Sequence, residues 1–313
     1  MVRRSAWVLL VVSSVVGVAC ESGADPDTTG IDRGRLLGHV RTLSDDSMEG
    51  RRAGSAGGQA AIGYLVQQMY DNGITPACGI DLEQAFSFGA EPVVNGVNLI
   101  GSVPGTSESA LTIVVSAHFD HLGTRAGAVF NGADDNASGT AVMLEMGRYF
   151  SQNPPRHTII FAGFDAEELG LQGARAFVDS RCRSNYDVAL NINLDMVSRS
   201  EAGELYASGP LHYPELRPII EQVPQKEGFQ LLFGHDEPGT GSDDWTFSSD
   251  HAPFHQAGIP YIYFGVEDHP GYHNPDDTFD AITPEFFYQA GEFVLEVTKQ
   301  MDASLEVLYS NYE

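Results

Sequence analysis

Cysteine is scarce in this chain, with three in 313 residues at Cys20, Cys78 and Cys182. No two of them form a Cys-x-x-Cys pair, which argues against a zinc site built from thiolates. Basic residues are scarce as well: 17 Lys and Arg face 43 Asp and Glu, for a formal charge of −26. A surface of that sign repels phosphate backbones and anionic lipid, so neither nucleic acid nor a peripheral membrane surface is an expected partner. Long apolar runs are missing too. The one extended run, Ala6 to Ala19, is broken by Ser13, Ser14 and Gly17 and falls short of the roughly 20 residues a membrane-spanning helix needs. No internal repeat and no low-complexity block follows it.

That run follows Arg3 and Arg4, and a charged segment ahead of a short hydrophobic one is the pattern of a signal peptide, here residues 1–19. It ends at Val18-Ala19-Cys20, which resembles a bacterial lipoprotein processing site with Cys20 as the lipidated residue, although Gly17 stands where leucine is usual. Ordinary cleavage near Ala19 is the alternative, and on either reading the mature protein is exported. A lipid at Cys20 is the single route to a membrane. Residues 20–30 are polar and small, and read as a flexible tether. Export would permit a disulfide between Cys78 and Cys182, but spacing cannot show that they meet, and the expectation is two unpaired buried cysteines.

The remainder is 42 % hydrophobic by whole-chain composition, enough for one substantial core, and one catalytic domain over 31–304 is expected, with a tail at 305–313. Ile62, Leu65, Val66 and Met69 recur at helical spacing ahead of Gly73. Thr112–Ala117, Thr158–Phe164, Val188–Leu194 and Ile259–Phe264 are short runs rich in Val, Ile and Phe, the pattern of strands buried on both faces. Helices are expected over Ala137–Ser151 and after Thr283-Pro284-Glu285, with Thr283 as cap. Strands alternating with helices predict a three-layer α/β/α sandwich around a mixed, mostly parallel sheet.

Each strand candidate runs into side chains that bind metal. His118-Phe119-Asp120 follows the first, Asp165-Ala166-Glu167-Glu168 the second and Asp195 the third, and a short loop after the fourth reaches His273. Asp134-Asp135-Asn136 precedes the Ala137 helix. Taken singly, each has an ordinary explanation: a solvated turn, or an N-cap cluster. Together they deliver His, Asp and Glu to one edge of one sheet, where open α/β folds bind ligands. Two divalent ions about 3.5–4 Å apart need one bridging carboxylate, and each needs further N or O ligands. Two histidines and three carboxylates supply that set, and one carboxylate left off the metals can serve as base.

The ordered strings AHFDHLG, NGADDNASGT, FDAEELGLQG, NLDMV and YHNPDDT resemble the co-catalytic di-zinc peptidases that include bacterial leucyl aminopeptidases. The stretch Asp46-Ser47-Met48-Glu49-Gly50-Arg51-Arg52 is similar to the segment that opens many of these domains. The resemblance runs from about Leu36 to Met301. It implies a zinc-exopeptidase-like fold and two zinc ions, bridged by Asp135, with His118 and Asp195 on one and Glu168 and His273 on the other. It also implies Glu167 as general base for the attacking water, and Asp120 and Asp277 as carboxylates that orient the imidazoles of His118 and His273. A cis peptide bond between Asp135 and Asn136 is implied in the same way. One departure stands out: some family members carry an oxyanion-binding tyrosine upstream of the Ser249-Asp250-His251 segment, and here the place is near Thr246, with no tyrosine between Phe233 and Pro260.

The activity expected is removal of single residues from the free N-termini of peptides. Glutaminyl cyclases share the fold, but typically place tryptophan beside the metal histidine where this chain has Tyr272. A carboxypeptidase-type relative would want a basic residue for the substrate carboxylate, and Arg and Lys are scarce near the motifs. A non-catalytic binding protein on the same fold would have no need of five ligands and Glu167.

Overall fold

In this computed structural model the described residues are 30–310. The expected leader, the Cys20 processing site and all but the last residue of the tether lie outside them. The chain opens with helix α1 (Arg33–Leu43), capped by the Asp32 carboxylate, which accepts the Arg35 amide at 2.9 Å. Helix α2 (Ala56–Asp71) follows a Ser55 cap and ends ahead of Gly73, whose φ of +79° is the left-handed turn that stops it. The strands β1 (Thr75–Pro76), β2 (Glu83–Phe88), β3 (Val94–Val103) and β4 (Leu111–His118) come next, then a small hairpin of β5 (Gly123–Arg125) and β6 (Ala128–Phe130). A π turn over Ala133–Ser138 leads into α3 (Gly139–Gln152). The remaining elements are β7 (Thr158–Phe164), α4 (Gln172–Val178), β8 (Asp187–Leu194), β9 (Glu204–Ser208), α5 (Arg217–Ile220), β10 (Gln230–Phe233), α6 (His251–Gln256), β11 (Tyr261–Gly265) and α7 (Pro284–Tyr309).

Nine strands form the main sheet in the order β1-β3-β7-β4-β8-β11-β9-β10, with β2 also pairing β3. The four central strands, β7-β4-β8-β11, are mutually parallel, while β3 and β9 run antiparallel to their inner neighbours. The four expected strands are this parallel centre. Strand alternation divides the core in two. Ile113, Val115 and Ala117 join Ile159 and Phe161 in a large cluster with α1, α2, α3 and α7. Val114, Ile160, Ala162 and Phe164 face the other way, onto Ala174 and Phe177 of α4 and Phe254 of α6. Helices therefore cover both faces, and the three-layer sandwich is the observed architecture. No helix among the described residues is long and apolar enough to cross a membrane.

Three local expectations need correction. Cys78 and Cys182 are not free: they form a disulfide, their Cα atoms 5.1 Å apart. The expected tail at 305–313 begins inside the last helix, which continues to Tyr309 with Leu305 and Leu308 on its buried face. Thr283 does precede that helix, but its side chain makes no capping bond, and Pro284 at the first helical position supplies the start.

Candidate metal centre

Parallel neighbours end on the same edge of a sheet, so the central strands decide where the chemistry collects. His118 is the last residue of β4, Glu167 and Glu168 follow β7, Asp195 follows β8, and the loop after β11 carries His273. Ala166, Met196 and His273 itself adopt left-handed backbone, with φ of +60°, +60° and +52°. Such single reversals in non-glycine residues concentrate at functional sites, and here they turn the chain sharply beside Glu167, Asp195 and the His273 imidazole. Asp135 enters from the π turn, and the Asp135–Asn136 bond is cis, as the resemblance implied.

The five expected ligands come together. His118 Nε2 lies 3.4 Å from Asp135 Oδ1 and 3.2 Å from Asp195 Oδ1. His273 Nε2 lies 3.2 Å from Asp135 Oδ2 and 3.2 Å from Glu168 Oε2. Asp135 thus turns one oxygen toward each histidine. Ligands tetrahedrally arranged at roughly 2.0–2.1 Å from an ion are about 3.3 Å from each other, so these separations fit a divalent metal on either side of Asp135. Two groups able to hold an ion are present among the described residues: His118, Asp135 and Asp195, and His121, Asp135 and Glu168. His121 is a member that sequence reasoning assigned no role, although AHFDHLG displays it three residues after His118.

Glu167 belongs to neither group. It lines the same cleft, of about 380 Å³, together with Trp245, Tyr263 and Tyr272. Its backbone amide donates to Asp120 Oδ1 at 3.0 Å. Asp120 does face His118, though more through its carbonyl oxygen, 3.2 Å from Nδ1, than through its carboxylate at 3.7 Å. Asp277 corrects the expectation. Rather than orienting His273, its carboxylate accepts the backbone amides of Asp134 and Asp135 at 3.0–3.1 Å and holds the turn that presents Asp135. Asp134 is tied down in the same way, accepting from Ser198 and contacting His269 Nε2 at 3.1 Å. Thr246 does not replace the missing tyrosine; its hydroxyl is 2.9 Å from His212 Nε2. Tyr263 is the tyrosine that lines the cleft from the sheet, and its hydroxyl donates to the Asp195 carbonyl at 3.3 Å.

Burial would depress the His118 imidazole, but Asp195 and Glu167 outweigh it and raise its pKa well above the ordinary histidine value. Contacts with Asp135 and Glu168 lift His273 to about 10. Burial raises Asp135, and it raises Glu167 well above the usual carboxylate range, with Asp250, Asp195 and Asp120 adding to it against the pull of His118. Glu168 goes the other way, its burial outweighed by His121 and His273. A cleft of this kind takes up positive charge, as protons or as metal, and ion binding would release the protons.

A three-layer sandwich with metal-ligand groups at the ends of its parallel strands is the zinc-exopeptidase type of fold and site. The structure superimposes on that of BSAP, a zinc aminopeptidase from Bacillus subtilis, with a TM-score of 0.64 at 22 % identity, covering 86 % of this chain and 94 % of that one. It also matches Porphyromonas gingivalis glutaminyl cyclase with a TM-score of 0.70 at 22 % identity, covering 87 % and 99 %. In sequence, residues 98–298 match Peptidase family M28, and the chain belongs to that family. It is 36 % identical over 210 residues to aminopeptidase YwaD of Bacillus subtilis (strain 168), a stretch covering 63 % of this chain and 43 % of YwaD. The match thus spans less than half the length of that relative.

Proposed function

We propose that the chain is a di-zinc aminopeptidase that hydrolyses the N-terminal peptide bond of peptides. The observation that carries this is Asp135, with one oxygen 3.4 Å from His118 and the other 3.2 Å from His273. Asp135, His118 and Asp195 would hold one ion, and Asp135, Glu168 and His273 the other. When bound, the two ions supply Lewis acidity and make a water nucleophilic at neutral pH. Glu167 accepts the proton of the attacking water and returns it to the departing amine nitrogen. Glu167 lines the cleft and belongs to neither candidate ligand group, which leaves its carboxylate free for that task. Among the described residues no Arg or Lys lines the cleft, which disfavours a substrate carboxylate and favours a free α-ammonium. The names of YwaD and of BSAP point the same way.

The likeness to a glutaminyl cyclase keeps cyclisation of N-terminal glutamine as the second reading. Export through the leader, with anchoring at Cys20, is part of the proposal, and the Cys78–Cys182 disulfide supports an oxidising compartment. A panel of aminoacyl-anilides and an N-terminal glutamine peptide, with and without chelator, is the test. Anilide cleavage abolished by chelator and restored by zinc is expected. Glutamine cyclisation without anilide cleavage would replace the proposal by the second reading. Glu167→Gln should keep its zinc and lose turnover by about 10²–10⁴-fold. The same assay on fractionated cells follows the anchor: Cys20→Ser should move activity from the membrane to the soluble fraction.

A further inference from the structure

We propose that His235 is a positioning residue for the substrate cleft: it ties together the two loops that wall the cleft, through Asp243 on one and Glu267 on the other. The inference deepens the aminopeptidase reading above and rests on it for the identity of the substrate. One loop leaves β10 and runs to α6, and it lines the cleft with Ser242, Trp245 and Ser248. The other follows β11 and lines it with Val266 and Asp268. Asp243 and Glu267 each sit in sequence between lining residues, and their own side chains are 67 % and 58 % exposed. His235 meets both, with Nδ1 2.9 Å from Asp243 Oδ1 and Nε2 3.2 Å from Glu267 Oε1. A ring protonated on both nitrogens donates to both carboxylates.

An exposed ion pair usually contributes little, because two mobile side chains must be ordered to make it. Here the imidazole is ordered already. Its ring, only 8 % exposed, stacks on the Trp245 indole with 3.6 Å between centroids and 8° between planes. Tyr206 of β9 meets the two rings edge-on, at 4.5 and 5.7 Å. The Trp245 amide donates to the His235 carbonyl at 2.7 Å, and the Ser208 hydroxyl of β9 donates to the same oxygen at 3.2 Å. His235 itself has left-handed backbone, φ +56°, which a non-glycine residue keeps only where its surroundings hold it. The ring therefore stands on the sheet, and the two loop carboxylates close onto it. Fixing both walls sets the separation of Trp245 and Val266, and with it the fit of a substrate side chain. Glu167 and the ligands that follow β4, β7 and β8 stay where those strands place them, so the strap acts on binding rather than on the chemical step.

Leucyl-anilide kinetics on the full chain separate this from a general structural role. His235→Phe keeps a ring to stack on Trp245 and loses both nitrogens, whereas Glu267→Ala removes one exposed carboxylate. Each should raise KM about tenfold and leave kcat within about twofold, with bound zinc unchanged. Glu267→Ala should add nothing in the His235→Phe background, because both changes break one strap. An unchanged KM, additive effects, or a fall in kcat alone would overturn the proposal. A second measurement needs no turnover. With Trp7→Phe in the full chain, Trp245 is its one tryptophan. Acrylamide should quench that fluorescence about twofold more strongly once Glu267→Ala loosens the wall. Equal quenching with and without Glu267→Ala would overturn the strap, even if His235→Phe failed to fold. A wild-type chain that cleaves no anilide would instead sink the aminopeptidase reading, and the quenching result would still decide whether the strap exists.

Discussion

Arg51 is fully buried, and its hydrogen bonds go to carbonyls rather than carboxylates: those of Phe119, Leu43, Asn131 and Gly132, at 2.6–2.9 Å. Burial lowers its pKa to about 10 against the opposing pull of Asp135, Asp277, Asp120 and Glu168, so it stays charged at neutral pH. One guanidinium thereby fastens the end of β4 and the segment after it, which carry His118 and His121, to the turn that carries Asp135. Arg51→Met would strand several buried carbonyls at about 1–3 kcal/mol each, and a loss of at least about 3 kcal/mol is expected from urea denaturation. A variant within 0.5 kcal/mol of wild type, on the order of an ordinary surface substitution, would show that the carbonyls find other partners. The sequence displayed the candidate ligands because imidazole and carboxylate announce their own chemistry. Arg51 appeared only as part of an opening motif, since nothing in a sequence marks which backbone carbonyls a guanidinium will meet. The role of Asp277 was misread for the same reason, its partners being the amides of Asp134 and Asp135.

At the scale of elements, the strands that bear the site were legible because burial on both faces leaves a mostly apolar run; every residue of β4 is buried. The hairpin of β2 and β3 was not legible, since β2 alternates exposed with half-buried positions and contains no fully buried residue. Helix α1 was missed as well, and part of its attachment is polar. Glu145 of α3 takes Arg35 at 2.8 Å and Arg148 at 2.8 Å, lies 3.6 Å from His39, and accepts the Asp32 amide at 3.0 Å. Burial would raise the Glu145 carboxyl, but His39, Arg35 and Arg148 outweigh it and bring it from 4.5 to about 2. A pKa depressed by folding stabilises fully above the unfolded value and is lost as pH falls through the folded one. That window is pH 4.5 to about 2, and the shift corresponds to about 3 kcal/mol. Glu145→Gln should therefore lower stability at pH 7 by about that much and flatten the decline across the window. Denaturant titrations at a series of pH values, with the parallel curve for wild type, check both parts.

For the molecule as a whole, the Cys78–Cys182 bond closes a loop with a sequence separation of 104. His118, His121, Asp135, Glu167 and Glu168 lie inside that loop, and Asp195 and His273 lie beyond it, so the proposed metals and the disulfide cross-link different pairs of segments. Closing so long a loop restricts the unfolded chain, and replacing both cysteines by serine should cost about 2–5 kcal/mol, read as a lower melting temperature. A melting temperature unchanged by the double replacement, or by reductant, would show the bond to be dispensable. The same loop contains the exposed tip at 89–93 between β2 and β3. If the chain is exported among other peptidases, as proposed, it is open to being nicked at such a tip. Cut there, it would still travel as one covalent body, and two fragments would part on a gel only after reduction.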